Sequence, residues 1–271
     1  MSNPIPILLY HSVADHPADN SWPWVMSPDL FAEHLHLLQL RGYTGVTITQ
    51  LVSAIRNPAH ELPERAIAIT FDDGYVDFIE NALPLLREFG FPATLYVITR
   101  YVGRTSRWLE DEGQGDHPMM TWGQIREAAE QGIEIGAHSQ SHPELDILSS
   151  RMAYQEIVGS KTELEQQLGR PVHSFAYPHG YHSRETRSLV IDAGFNSACA
   201  VKNGLSSLND DPYALARIML ERGTDTVLLA GLMDGNGLEP VAKQERLRTK
   251  AWRAARLVRS GIRLELKAKH A

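Results

Sequence analysis

A single cysteine, Cys199, in 271 residues excludes an intrachain disulfide framework and any Cys-rich zinc site. A bound metal would therefore have to use histidine and carboxylate ligands. Long apolar runs are also missing, since no stretch approaches the roughly 20 residues needed to span a bilayer. Met1 to Tyr10 has no positively charged start, too short an apolar run and no small-residue cleavage site, so the expected location is cytoplasmic. There is no internal repeat and no low-complexity tract. The 43% of residues that are apolar suffice for one substantial core.

Charge is scarce in one sign over most of the chain and then reverses. The net charge is −7, yet from Pro240 onward ten Lys or Arg face only Glu245 and Glu265, a local +8 against −15 for the rest. The acidic majority argues against a nucleic-acid partner. The expected organisation is a catalytic domain over 1–239 and a basic segment over 240–271. Within the latter, Leu247, Trp252, Ala255, Leu257, Ile262 and Leu264 interleave with the cations as in an amphipathic helix over about Lys243 to Lys267. Such a helix could touch an anionic membrane surface or pack on the acidic body of its own chain.

Short apolar runs alternate with stretches of helical period, which predicts an α/β protein built on a largely parallel sheet or barrel. The expected strands are Ile5 to Tyr10, Ala66 to Phe71, Ala93 to Ile98, Ile133 to Ala137, Ser174 to Tyr177, Ser197 to Val201 and Ala214 to Leu220. Ser27 before Pro28 reads as a helix cap, opening a helix that ends near Gly42. Further helices are expected at Gln50 to Arg56, Val76 to Phe89, Trp122 to Gln131, Ser150 to Leu168 and Ser183 to Ala193. Arg100 to Met120 is polar and aperiodic, and reads as a rim or lid.

Three motifs fall where strands run out, the end at which α/β folds build sites. Thr70-Phe71-Asp72-Asp73-Gly74-Tyr75 juxtaposes two carboxylates, whose repulsion a cation would relieve; alone, Asp-Asp-Gly is also a common turn. His138-Ser139-Gln140-Ser141-His142-Pro143 sets two imidazoles four residues apart, each able to ligate a divalent ion. Two His and one Asp leave a coordination position for water. Phe175-Ala176-Tyr177-Pro178-His179-Gly180 fixes an irregular backbone whose amides could face a developing oxyanion, though it is also an ordinary strand-to-loop sequence.

On these motifs the chain resembles the polysaccharide deacetylases of carbohydrate esterase family four, the NodB-homology domain, over roughly Ile5 to Leu220. That resemblance implies a distorted, incomplete (β/α) barrel. Thr70 to Gly74 matches the family's T-F-D-D-G, implying Asp72 as catalytic base and Asp73 as metal ligand. His138 to Pro143 matches H-[ST]-x-x-H-P, implying both histidines as ligands. The third motif, R-x-P-[YF]-G, is matched only in part: Ala176 stands where the arginine would be and His179 replaces the aromatic, while Pro178 and Gly180 remain. The fourth, an Asp followed by a Trp, has no match after Gly180, so the aromatic wall must come from elsewhere. The fifth, L-x-H, is matched not near the end but at Leu9-Tyr10-His11, as in a permuted branch resembling biofilm poly-N-acetylglucosamine deacetylases, and this implies His11 as the general acid.

The implied reaction is hydrolysis of the N-acetyl or N-acyl group of an amino sugar by metal-activated water. Zn²⁺ is the expected ion, with Co²⁺ or Ni²⁺ as alternatives. Asp72 would take the water's proton, an amide near His179 would hold the oxyanion, and His11 would protonate the departing amine. Tyr75, Tyr177 and Pro178 are candidate substrate contacts. Trp22, Trp24, Trp108, Trp122 and Tyr181 are further aromatics that could meet sugar faces. The expected substrate is an N-acetylated glycan or a lipid-linked precursor at the inner membrane face. Two other readings stay open: a hydrolase of a non-sugar C–N bond such as a cyclic ureide or formamide, and a non-catalytic glycan-binding relative.

Overall fold

The computed structural model describes residues 4–15, 22–57, 59–238 and 247–269, with side chains described as far as 259. Eight short strands form one parallel sheet: β1 (Ile7–Tyr10), β2 (Thr44–Val46), β3 (Ala66–Phe71), β4 (Thr94–Val97), β5 (Glu134–Ala137), β6 (Ser174–Ala176), β7 (Ser197–Cys199) and β8 (Ile218–Met219). Their order is β8-β1-β3-β4-β5-β6-β7, and β2 flanks β3 on the same side as β4. The segment before β8 bridges the two edges, with Leu215 bonded to β7 and Ile218 beside Leu8 of β1. The sheet is thereby curled into the expected incomplete barrel. A separate parallel pair joins Ser12–Val13 to Val25–Met26.

Helices α1 (Pro28–Leu40), α2 (Ile48–Arg56), α3 (Leu83–Phe89), α4 (Trp122–Glu130), α5 (Ser150–Leu168), α6 (Arg184–Asp192), α7 (Thr226–Met233) and α8 (Leu247–Lys269) complete the fold. Local chemistry explains most of their ends. Ser27 accepts from Leu30 N to cap α1, Thr47 and Gln50 form a reciprocal capping box on α2, and Gly169 closes α5 at φ 64°. The helix expected over Val76 to Phe89 is present over those residues, but it carries a wide π turn, Phe78–Ala82, between its first residues and α3. Pro84, lacking an N–H, follows that π turn directly, where the widened backbone accommodates the missing donor. The strand expected over Ala214 to Leu220 shortens to β8, and β2, the Ser12–Val13 pairing and α7 are elements the sequence pattern did not suggest. Residues 243–246 of the expected basic helix lie outside the described residues.

Period-two alternation along the strands sorts side chains into two sets. Leu8, Tyr10, Ile67, Ile69, Phe71, Ala137, Ala198 and Ile218 join the core beneath the helices. Ile7, Ala66, Ala68, Tyr96, Ala176, Cys199 and Leu215 fill the barrel interior. Small residues suit that narrow interior: a Cβ on Gly136 would come 2.5 Å from the Tyr96 ring. Continuing each inward row by two-residue steps reaches His11 after Ile7, Asp72 after Ala66 and Ala68, His138 after Gly136, and Arg217 after Leu215. The strand period therefore delivers four polar side chains to one end of the barrel.

Candidate active site

Asp73, His138 and His142 bring three ligand atoms within 4.8 Å of one another. His138 Nε2 lies 3.5 Å and His142 Nε2 3.7 Å from Asp73 Oδ1. His138 Nδ1 donates to Ala176 O at 2.8 Å, which leaves Nε2 as the unprotonated nitrogen facing the cluster. Burial holds both histidines below their ordinary pKa and so neutral, as ligation requires. Burial, and then the adjacent Asp72 charge, push Asp73 up to about 8, while its Oδ1 is buried without a hydrogen-bond partner. The protein alone does not compensate an ionised Asp73. A divalent cation would, so the residues fit a metal ion.

The loop that carries the histidines is strained and pinned. Asp73, Ser139, His142 and His179 all have positive φ, at 74°, 61°, 61° and 56°, and together they ring the site. Ser139 Oγ accepts from His142 N at 3.0 Å. Glu156 of α5 takes the Ser141 N–H at 2.8 Å and its hydroxyl at 2.7 Å. Helix α5 thus fixes the residue preceding a ligand.

Asp72 faces a different partner. Arg217, fully buried, grips it with two bonds, NH1 to Oδ1 at 2.6 Å and NH2 to Oδ2 at 2.7 Å. Its Nε also donates to Ala200 O at 3.2 Å. Burial alone would raise the Asp72 pKa, but the guanidinium and then His138 outweigh it and hold the carboxyl below its usual range. The arginine missing at Ala176 thus has a counterpart in Arg217, from the bridging segment before β8, a residue that sequence reasoning missed. One signal was available: a lone arginine inside the apolar run Ala214 to Leu220 requires a buried anion.

His11 is half-buried beside this pair, and desolvation lowers it to about 4, with Asp72 pulling upward and Arg217 downward. The Trp24 ring lies 5.4 Å from it. Trp108 lies 5.7 Å from the His142 ring and 6.1 Å from that of Tyr75. Trp24 and Trp108 are thus aromatic rings beside the site, where no Asp-Trp motif stands. The Tyr75 hydroxyl is close enough to Asp73 to oppose its upward shift.

The segment 100–120 is a tied rim. Met120 N bonds Gly74 O, Val76 N bonds Pro118 O and Arg100 N bonds Gln140 O, at 3.0, 3.0 and 2.9 Å, which staples it to both ligand-bearing motifs. Of the third motif, His179 alone brings its side chain to the site, with its ring 4.5 Å from that of His142. Tyr177 turns into the core, stacking on His182 and donating to Tyr213 O at 3.1 Å. Pro178 is buried at the head of a tight turn in which Gly180 N and Tyr181 N bond Tyr177 O and Pro178 O. That leaves the His179 N–H as the donor this turn could offer. Elsewhere, His34 bridges Tyr10 and Thr224 O in the core, and His16 and His270 lie outside the described residues.

The polysaccharide deacetylase family model matches residues 59–198, just over half of the chain. YxkH of Bacillus subtilis (strain 168), whose name places it among polysaccharide deacetylases, is 28% identical over 81% of this chain and 72% of its own length. The poly-beta-1,6-N-acetyl-D-glucosamine N-deacetylase of Escherichia coli (strain K12) is 32% identical over 48% of this chain, and the match spans only 20% of that larger protein. The structure of the Streptococcus pyogenes deacetylase PplD in complex with acetate superposes with a TM-score of 0.75 at 26% identity, covering 89% of this chain and all (100%) of that one.

Proposed function

The chain belongs to the polysaccharide deacetylase family, and from that premise we propose that it removes the N-acetyl group from an amino sugar of a glycan, using a divalent cation held by Asp73, His138 and His142. One observation carries the reading. A three-residue ligand set and a separately clamped carboxylate, Asp72, meet at the mouth of one barrel, with His138 Nε2 3.6 Å from Asp72 Oδ2. The two aspartates thereby have different work: one is left without a compensating charge and suits an ion, the other is kept ionised by Arg217 and suits a proton.

When bound, the cation supplies positive charge that polarises the acyl carbonyl and acidifies water. Asp72, held rigid by two hydrogen bonds, accepts the proton of the attacking water. As the C–O bond forms, the His179 N–H stabilises the oxyanion. Negative charge building beside His11 raises its affinity for a proton, which it takes from solvent and passes to the nitrogen as the C–N bond breaks, while Asp72 returns its own proton to solvent. Acetate and the free amine leave. Trp24 and Trp108 close the sides of the site and limit water to the reacting molecule.

Zn²⁺ is the first choice of ion because two imidazoles and one carboxylate with an open position form a common zinc hydrolase set, with Co²⁺ and Ni²⁺ able to occupy the same donors. The substrate class follows from relatives named for poly-N-acetylglucosamine. A lipid-linked precursor at the inner membrane face remains part of the proposal. Exposed Lys250, Val258 and Arg259 on α8 support peripheral contact, although no helix among the described residues is long and apolar enough to cross a membrane. Unchanged liposome binding after deletion of residues 243–271 would remove that contact.

The test is acetate release from N-acetylated glycans of several linkages, and from lipid-linked precursors, by metal-stripped protein resupplied with Zn²⁺, Co²⁺ or Ni²⁺, beside Asp72→Asn. Metal-dependent release abolished by the substitution is the expected result. Silence on every glycan with metal bound, together with turnover of a cyclic ureide or formamide, would transfer the site to a non-sugar C–N bond.

A further inference from the structure

Helix α8 is joined to the catalytic body through the rim of the site. Arg256 binds both oxygens of Asp146, at 2.9 and 2.7 Å, and Arg253 adds a bond to Oδ2 at 2.8 Å. Asp146 is almost fully buried and stands four residues beyond the ligand His142. Arg253 also donates to His182 O at 3.1 Å, and Arg256 lies 3.9 Å over the Tyr181 ring. Tyr181 stacks in turn toward His179, which contacts His142. The basic helix is therefore continuous with the metal site through one line of rings.

Trp252 stands at the outer end of that line. Its Nε1 donates to Tyr181 OH at 3.3 Å, yet the residue is 51% exposed. An indole fixed by its edge and open over much of its surface contributes little to the core, but it is suited to a flat, weakly polar partner. The charges beneath it are largely matched, because Asp146 and the nearby Glu144 face Arg253 and Arg256. That compensation favours an uncharged ring over an anionic headgroup.

We propose that Trp252 is an outer saccharide platform, on which a sugar ring of the glycan chain, beyond the residue being deacetylated, stacks during binding. The inference rests on the deacetylase reading and extends it: α8 is one wall of the substrate groove, and the enzyme prefers oligomers to short substrates. Arg253 and Arg256 are positioning residues that set the platform relative to His142.

The experiment uses the full metal-loaded chain and N-acetylglucosamine oligomers of graded length. Relative to wild type, Trp252→Ala is expected to lower the ratio of kcat/KM for long oligomers to kcat/KM for the disaccharide by about three- to tenfold, the scale of one aromatic stacking contact. Trp252→Phe should restore most of the ratio. An unchanged ratio in Trp252→Ala overturns the proposal. Should wild type release no acetate from any oligomer, the deacetylase reading fails. Calorimetric binding of the hexamer to Asp72→Asn and to Asp72→Asn/Trp252→Ala then judges the platform separately: weaker binding by the double variant supports it, and equal binding overturns it.

Discussion

Replacing Arg217 with methionine should cost the enzyme both its stability and the acid side of its pH profile. The side chain is fully buried and its bidentate pair with Asp72 is the shortest contact in the site's polar cluster, at 2.6 Å. Removing one partner of a buried pair leaves the other charge uncompensated, a loss of about 3–5 kcal/mol. For a chain of this size that is a fall in Tm of roughly 10 °C. Asp72 then has an alternative, which is to take up a proton. Arg217 holds its pKa below the usual carboxylate range, whereas burial favours the neutral form. Without the guanidinium the folded-state pKa rises, so the ionised base is lost as pH falls through a higher value than before. The acid limb of kcat/KM should move upward, with activity at neutral pH down by about 10²- to 10⁴-fold and partly recovered at higher pH. Arg217→Lys keeps a charge but not the two-pronged grip and should fall between. Deacetylase rates across pH, paired with thermal unfolding, give the readout. A methionine variant with an unshifted acid limb and native Tm would refute the view that Arg217 orients and ionises Asp72.

Further consequences follow from the other contacts. His11→Asn should lower kcat by about 10²- to 10⁴-fold on the N-acetyl substrate and far less on an O-acetyl or aryl-amide analogue with a better leaving group; an equal loss on both would exclude a proton-donor role. Glu156→Gln, which weakens the anchoring of Ser141 next to His142, should reduce metal affinity by about 10- to 100-fold in a chelator competition. Acidification should release α8. Although burial opposes it, the hydrogen bonds from Arg256 and then Arg253 hold Asp146 below its ordinary pKa, so their stabilisation is complete above the unfolded carboxylate value near ~3.9 and is lost as pH falls beneath it. Asp146→Asn should show the released state at neutral pH by protease nicking within α8, and equal protection at both pH values would contradict the linkage.

Much of the site was legible because its motifs are local. Asp72 and Asp73 follow one strand, His138 and His142 follow another, and His11 follows the first, so the inward alternation of three short strands was enough to bring them to one barrel end. The helix cap at Ser27 was legible for the same reason, since a cap joins residues three apart. The π turn within the helix over 76–89 was not, because the apolar period continues through a turn that widens the backbone without disturbing the pattern.

The sequence by itself determined the strand-end motifs, the ligand types and the class of chemistry, for each of these is written in neighbouring residues. Tertiary structure alone decided who completes them. Arg217 reaches Asp72 across 145 positions, Trp108 meets His142 from a rim segment, Glu156 holds the ligand loop from a helix, and α8 joins the rim through Asp146. A guanidinium or an indole carries no mark in sequence of the partner it will find. Its role is fixed only when the sheet curls and the energetic demand of a buried charge selects the group that satisfies it.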